Sequence, residues 1–173
     1  MFPTIAGSMA LVASCAAIGF YFAAKEGFRV RDLQEFKKAL MILSSEIEHM
    51  RAPLPIACAN IAKRTKEPVS TLFEQFSNLL TNNEGETAYQ LWAEALQAQK
   101  ARAYLAAEDW DVLEGFGKTL GYLDKQMQQS AITATVEYIN EKTTSLQTQS
   151  EKSKRMYRSL GVIGGLLLVV VLW

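Results

Sequence analysis

The sequence predicts an all-α protein, an antiparallel six-helix bundle flanked by an N-terminal and a C-terminal transmembrane helix. Three observations carry that reading. Through the polar middle of the chain, apolar residues recur at steps of three and four, with no sustained period-two alternation. Both ends are apolar runs without a charged residue, and all 36 Lys, Arg, Asp and Glu residues fall between Lys25 and Arg158 of the 173. The expected division is therefore residues 1–25 as the first membrane helix, 26–158 as one cytosolic domain and 159–173 as the second membrane helix. About 130 residues suffice for one domain with a core of its own.

The first run, Ile5 to Ala24, has twenty residues without a charge and is roughly 30 Å long as a helix, the thickness of a bilayer core. A cleaved signal peptide would need a basic leader, and nothing before Lys25 is charged. Val12-Ala13-Ser14-Cys15 resembles a lipoprotein processing box that would leave Cys15 acylated, but the apolar run continues for nine residues beyond it; intact mass separates the two outcomes. At the other end, Leu160 to Trp173 is fourteen apolar residues, roughly 21 Å as a helix. Counting from Met156 adds Tyr157 and Arg158, which suit the headgroup level, and lengthens it to roughly 27 Å, so full spanning stays open. Lys25, Arg29 and Arg31 follow the first run, while Lys152, Lys154, Arg155 and Arg158 precede the second. By the positive-inside tendency the domain between them is cytosolic. Ala6, Ala10 and Ser14 in one run, and Gly161 and Gly165 in the other, offer small faces through which the two could pack as a hairpin.

Between the ends, Leu33, Phe36, Leu40, Leu43, Ile47 and Met50 form one stripe on a helix from about Val30 to Met50, with Asp32 suited to its N-terminal dipole. Pro53 and Pro55 interrupt it. A short second helix carries Ile56, Ala59 and Ile61 to about Lys66. Pro68 opens a third, lined by Val69, Leu72, Phe73, Phe76, Leu79 and Leu80, and Thr81 to Gly85 reads as a loop. A fourth runs from Glu86 to about Leu105 with Ala88, Leu91, Trp92, Ala95 and Leu96 inward. The fifth begins at Asp109, uses Leu113, Phe116 and Leu120, and stops at Gly121. Asp124 caps the last and longest. Its heptad positions Ile132, Val136, Ile139, Thr143, Leu146, Ser150, Ser153, Tyr157 and Leu160 turn polar in the second half, so that half packs loosely or exchanges partners.

Little in the sequence points to catalysis. His49 is the only histidine, beside Glu46 and Glu48 near a helix end, and no Cys or His cluster has metal-ligand spacing. Asp109 and Asp111 read as first-turn acids rather than a catalytic pair. Walker, dinucleotide-glycine and nucleophile-elbow motifs are missing, and the aromatics lie on core stripes rather than forming stacking platforms for bases. No cofactor, nucleic acid or small-molecule substrate is expected. Charge is segregated along the chain: Lys25 to Lys66 is net +4, Glu67 to Glu114 is net −7 and Gly115 to Arg158 is net +3. The acidic middle makes Glu74, Glu84, Glu86, Glu94, Glu108 and Asp111 candidate partner-binding residues, against the commoner role of a solvated face.

Glu46-Ile47, Pro53-Leu54, Ile61-Ala62-Lys63, Val69-Ser70-Thr71-Leu72-Phe73 with Phe76-Ser77, and Trp92 occur in an order that resembles the stage III sporulation protein AB family of endospore-forming bacteria. Phe116-Gly117, Thr119-Leu120-Gly121 with Asp124, Gln128 and Gln129, then Ser159-Leu160-Gly161 and Gly165-Leu166-Leu167 extend the likeness to the C-terminus. The resemblance implies a subunit of the channel complex linking mother cell and forespore, placed in the mother-cell (outer forespore) membrane. It also implies a domain similar to the cytoplasmic domains of type II secretion and type IV pilus platform proteins, which sit beside an assembly ATPase. Here that partner would be of the stage III sporulation protein AA type, together with other channel-complex subunits. This chain has one such domain where platform proteins carry two, which leaves homo-oligomer formation open. The expectation is a non-enzymatic membrane scaffold. The alternative is a signalling or adaptor module acting through the long last helix, and an enzyme is the most remote reading.

Overall fold

The computed structural model describes residues 25–50, 52–83, 85–120 and 124–172; the side chains of His49, Met50 and residues 150–172 fall outside that description. Among the described residues there are six helices and no strand. Helix α1 covers residues 25–45 and closes with a π-helical turn, Glu46–Met50. It is followed by α2 (Leu54–Arg64), α3 (Val69–Asn82), α4 (Ala88–Gln99), α5 (Ala107–Gly117) and α6 (Lys125–Leu172). Of these, α2 packs on α3, α3 on α4, α4 on α5 and α5 on α6.

Two sets of contacts orient α1. Against α2, the Lys38 ammonium donates to the Arg64 carbonyl, the Lys66 amide donates to Glu35 Oε2 at 3.1 Å, and Asn60 donates to Glu46 Oε1 at 3.3 Å, so α1 rises as α2 falls. Against α6, Gln129 Nε2 donates to Ser44 Oγ at 2.6 Å. Fifteen residues earlier in α1, Arg29 meets a carboxylate that also holds Lys142. The α1–α6 pair is thus antiparallel, as the sequence pattern predicts.

The core follows the predicted stripes. Leu33, Phe36, Leu40 and Leu43 of α1, Leu72, Phe73 and Phe76 of α3, and Leu91, Trp92, Ala95 and Leu96 of α4 are buried, as are Leu113 and Phe116 of α5 and Ile132 and Ile139 of α6. At its centre the Trp92 ring lies 5.5, 5.1 and 5.8 Å from those of Phe73, Phe76 and Phe116, the last two edge-on. Its Nε1–H donates to the Leu113 carbonyl at 2.8 Å, so the one polar atom of the buried ring is satisfied.

Helix starts are set by local chemistry. The Thr87 hydroxyl accepts the Gln90 amide while the Gln90 side chain accepts the Thr87 amide, a capping box for α4. Asp124 Oδ1 accepts the Gln126 amide at 2.9 Å and caps α6 as expected.

Several boundaries differ from the sequence expectation. The chain is already helical at residue 25, so Asp32 lies within α1 rather than in its first turn. Its buried carboxylate is held by the Tyr104 amide at 2.9 Å and by Arg31 at 3.1 Å. Helix α4 ends at Gln99 and not near Leu105: the Lys100, Arg102 and Ala103 amides turn back to the Gln97 and Gln99 carbonyls, and beyond them the Tyr104 amide bonds Asp32 while its ring stacks on Phe28 at 4.9 Å. On α2 the buried face is Ala57, Cys58 and Ile61, with Ile56 exposed. Helix α5 starts two residues before Asp109 and ends at Gly117; Gly121 lies outside the described residues.

Helix α6 runs for 48 residues without a break to Leu172, roughly 72 Å, so the last helix continues into the apolar tail as predicted. Ile5 to Ala24, with Ala6, Ala10, Ser14 and Cys15, lies outside the described residues. Among those described, no helix is long and apolar enough to cross a membrane.

Candidate functional site

The densest polar arrangement joins α1, α5 and α6. Asp109, fully buried near the start of α5, accepts two parallel bonds from Arg29 of α1: Nε to Oδ2 at 2.8 Å and Nη2 to Oδ1 at 2.9 Å. A fork–fork pair of this kind is the strong form of a guanidinium–carboxylate contact. Asp109 Oδ1 also accepts the Tyr138 hydroxyl of α6 at 2.9 Å, and Oδ2 accepts the Ala106 amide at 2.9 Å, closing the first turn of α5. Beside it, Glu108 Oε1 takes Arg29 at 2.8 Å and Lys142 at 2.9 Å. Five side chains therefore fasten the beginning of α1 and the middle of α6 to one helix N-terminus, where the dipole favours the two carboxylates. We refer to this arrangement as the clasp.

Arg29, Tyr138 and Glu108 are each shifted toward the form that makes these bonds. Hydrogen bonding to Asp109 raises the Arg29 guanidinium above its ordinary range, outweighing the opposing effect of burial. Burial, then the bond to Asp109, raises the Tyr138 hydroxyl, which stays protonated as a donor. The hydrogen bonds from Arg29 and then Lys142 hold Glu108 below the usual carboxylate value. A carboxylate depressed in the folded state contributes stability above its unfolded pKa and loses it as pH falls through the folded value. Glu108→Gln is therefore expected to lower the neutral plateau of a melting-temperature profile slightly and leave its acid end unchanged, so that the acid limb flattens. An unaltered acid limb would count against Glu108 as part of the clasp.

The candidate partner-binding acids are placed unequally. Glu74 on α3, Glu86 before α4, Glu94 on α4 and Asp111 on α5 are exposed. Among the described residues none of these four enters an ion pair. Glu108 is half exposed but engaged by Arg29 and Lys142. Glu84 lies outside the described residues. Tyr89 donates to Glu114 at 3.1 Å, a bond that raises the Tyr89 hydroxyl above its ordinary value.

The sequence reading missed Asp109 as a hub, and Tyr138 altogether. A local signal existed only for the first, an acid at the third position of a helix; its partners lie 80 residues before and 29 after it. Cys58 is free and buried, and burial pushes its thiol up to about 12, so it is inert at neutral pH. Among the described residues no group of His, Cys, Asp and Glu has the arrangement of a metal site.

Comparison with known proteins bears on the whole chain. The family model for stage III sporulation protein AB matches residues 4–173. The chain is 31% identical over 166 residues to stage III sporulation protein AB of Bacillus subtilis (strain 168), covering 96% of each. A solved structure of stage III sporulation protein AB matches with a TM-score of 0.67 at 30% identity, over 72% of this chain and 97% of that one.

Proposed function

The chain belongs to the stage III sporulation protein AB family, and on that premise we propose that it is a non-enzymatic membrane scaffold of the channel complex between mother cell and forespore. Its helical domain docks a cytosolic assembly ATPase of the stage III sporulation protein AA type and passes the resulting movement to membrane components. The observation that carries this reading is the clasp. Arg29 and Lys142 stand on the two helices that lead toward the apolar ends of the chain, and both bind one carboxylate oxygen of α5. A push on the α3–α5 side thus has a route into α1 and α6 together.

The domain faces the cytosol in this reading, and the apolar ends attach it to the mother-cell membrane as a helical hairpin. Support for the hairpin comes from the antiparallel α1–α6 pair, which sends the start of α1 and the end of α6 the same way. Ala6 and Ala10 of the first apolar run and Gly161 and Gly165 of the second are the small residues through which the two would meet. Ala10→Cys with Gly161→Cys in a Cys15→Ala background is expected to crosslink within one chain in membranes, and a pair offset by half a turn is not. Equal yields from both pairs would reject the hairpin register.

Docking is tested with full-length chain in detergent and in reconstituted membrane, captured on immobilised stage III sporulation protein AA. Reversal of Glu74, Glu86, Glu94 and Asp111 to lysine should reduce capture by about tenfold, since each exposed charge contributes only a fraction of a kcal/mol to about 1 kcal/mol. Absence of capture in both settings would sink the reading.

The unbroken α6 also fits a signalling module that transmits a membrane event along one helix. The two differ in what they tolerate. A heptad insertion between Thr143 and Ser153 should abolish a signal, whereas a scaffold should fail when its exposed acids are changed.

A further inference from the structure

We propose that the domain self-associates head to tail, a basic groove on α1 and α2 of one copy receiving the acidic outer edge of α6 from the next. This rests on the membrane attachment proposed above and not on ATPase docking. The groove, of about 840 Å³, is lined by Gln34, Lys37, Lys38, Met41, Ile42 and Arg64. Met41 is 56% exposed there, large for an apolar side chain. Among the described residues no carboxylate pairs with Lys37, Lys38 or Arg64; Lys38 reaches only the Arg64 carbonyl. Three cations around an apolar floor therefore lack a counter-charge within the chain.

A lipid headgroup is too far away to supply it. Lys37 and Lys38 lie 12 and 13 residues along α1 from Lys25, where the polar domain begins. That is about 18–20 Å of helix, roughly two screening lengths at physiological salt. The occupant is a protein surface at the same height above the membrane.

This chain carries such a surface. Glu137 and Glu141 stand four residues apart on α6, both exposed and neither ion-paired among the described residues. Carried from Ser44 with Gln129 and from Arg29 with Lys142, the antiparallel register sets Lys37 and Lys38 level with Thr133 to Val136, within one turn of Glu137. Copies attached to one membrane present their basic groove and acidic edge at matching heights. Because the two surfaces differ, the contact is heterologous and continues to a third copy, closing a ring or extending a row. Exposed pairs contribute little singly, so association depends on confinement in the membrane and weakens with salt.

The test uses full-length chain with Cys15→Ala in phosphatidylcholine vesicles; Cys58 is retained because its buried thiol is unreactive. Two populations carry different tags, one with Lys38→Cys and the other with Glu137→Cys, and are oxidised together. The expected result is an intermolecular disulfide at least about tenfold above that of Lys38→Cys with itself. It should fall about tenfold when Lys37→Glu and Arg64→Glu are added to the first population, and recover when Glu141→Lys is added to the second. Equal crosslinking of like with like, insensitivity to the reversals, or crosslinking only when phosphatidylglycerol is present overturns the proposal. The last outcome would assign the groove to anionic lipid. Vesicle flotation reads attachment separately: a chain that floats without crosslinking rejects self-association alone, and one that does not float rejects attachment and this proposal with it.

Discussion

Asp109→Ala is expected to destabilise the domain by about 3–5 kcal/mol, the range for removing one partner of a buried ion pair. Asp109 is fully buried, and its two oxygens accept bonds from Arg29, Tyr138 and the Ala106 amide. Truncation leaves Arg29, whose side chain is only 17% exposed, without its bidentate partner. It also leaves the partly buried Tyr138 hydroxyl without that acceptor and opens the first turn of α5. For a domain of this size the loss corresponds to a fall in melting temperature of about 10–20 °C, measured by circular dichroism on full-length chain in detergent. Two further variants identify the cause. Asp109→Asn keeps an acceptor for Ala106 and Tyr138 but loses the charge, and should fall between wild type and Asp109→Ala. Arg29→Met added to Asp109→Ala removes the stranded cation and should recover part of the loss. A fall of less than about 1 kcal/mol, within the range of an exposed pair, would mean that the clasp is an ordinary surface contact and would remove the main support for coupling through α1 and α6.

The comparison of sequence with structure turns on which interactions are local. The apolar faces of α1, α3, α4 and α5, and of α6 as far as Leu146, were legible because a helix must repeat its buried residues every three or four positions. The one apolar face misjudged, that of α2, is a short helix in which Ile56 is exposed and Ala57 and Cys58 are buried. Two of its inward residues, Ala57 and Cys58, are small, so hydropathy points to the larger Ile56 instead. The start of α6 was legible from Asp124, whereas α4 was expected to begin at Glu86, one residue before the Thr87 cap, and to end near Leu105 rather than at Gln99. Nothing in Ala101-Arg102-Ala103-Tyr104 says that α4 must already have ended. The residues after Gln99 close into turns, and Asp32, 72 residues before Tyr104, takes the Tyr104 amide beyond them. The clasp was hidden for the same reason. Reading Asp109 and Asp111 as first-turn acids was right for Asp109 and wrong for Asp111, which lies beyond the first turn, and it was silent about Arg29 and Tyr138, which only the tertiary fold brings to Asp109. The segregation of charge was visible in the sequence, but which acids are engaged within the chain was not; the fold separates Glu108 from Glu74, Glu86, Glu94 and Asp111.

A second large effect is expected at the centre of the core, where Trp92 and Gly117 occupy one space. Trp92→Ala should cost about 3–5 kcal/mol, the range for truncating a buried aromatic. It removes the ring shared by Phe73, Phe76 and Phe116 and the donor to the Leu113 carbonyl. The reason for a glycine at position 117 is the same ring. A Cβ placed there would stand 2.0 Å from Trp92 Cδ1, well inside van der Waals contact, so α5 and α4 could no longer approach as they do. Gly117→Ala should therefore destabilise by about 1–3 kcal/mol through overpacking, although alanine is the better helix former by up to about 1 kcal/mol at an ordinary helical site. The two substitutions must then be non-additive. Trp92→Phe alone loses the indole donor and some volume, and in that background Gly117→Ala should cost less than it does beside tryptophan. A coupling of about 1 kcal/mol or more in the double-mutant cycle is the signature of contact, as pairs in contact couple by about 0.5–3 kcal/mol. If the two changes simply add, the glycine is there for another reason, and α4 and α5 are not locked together by this ring. If they couple, Trp92 and Gly117 are in the contact that sets how closely α4 and α5 approach, and the push proposed to arrive on the α3–α5 side would have to pass through it to reach Asp109.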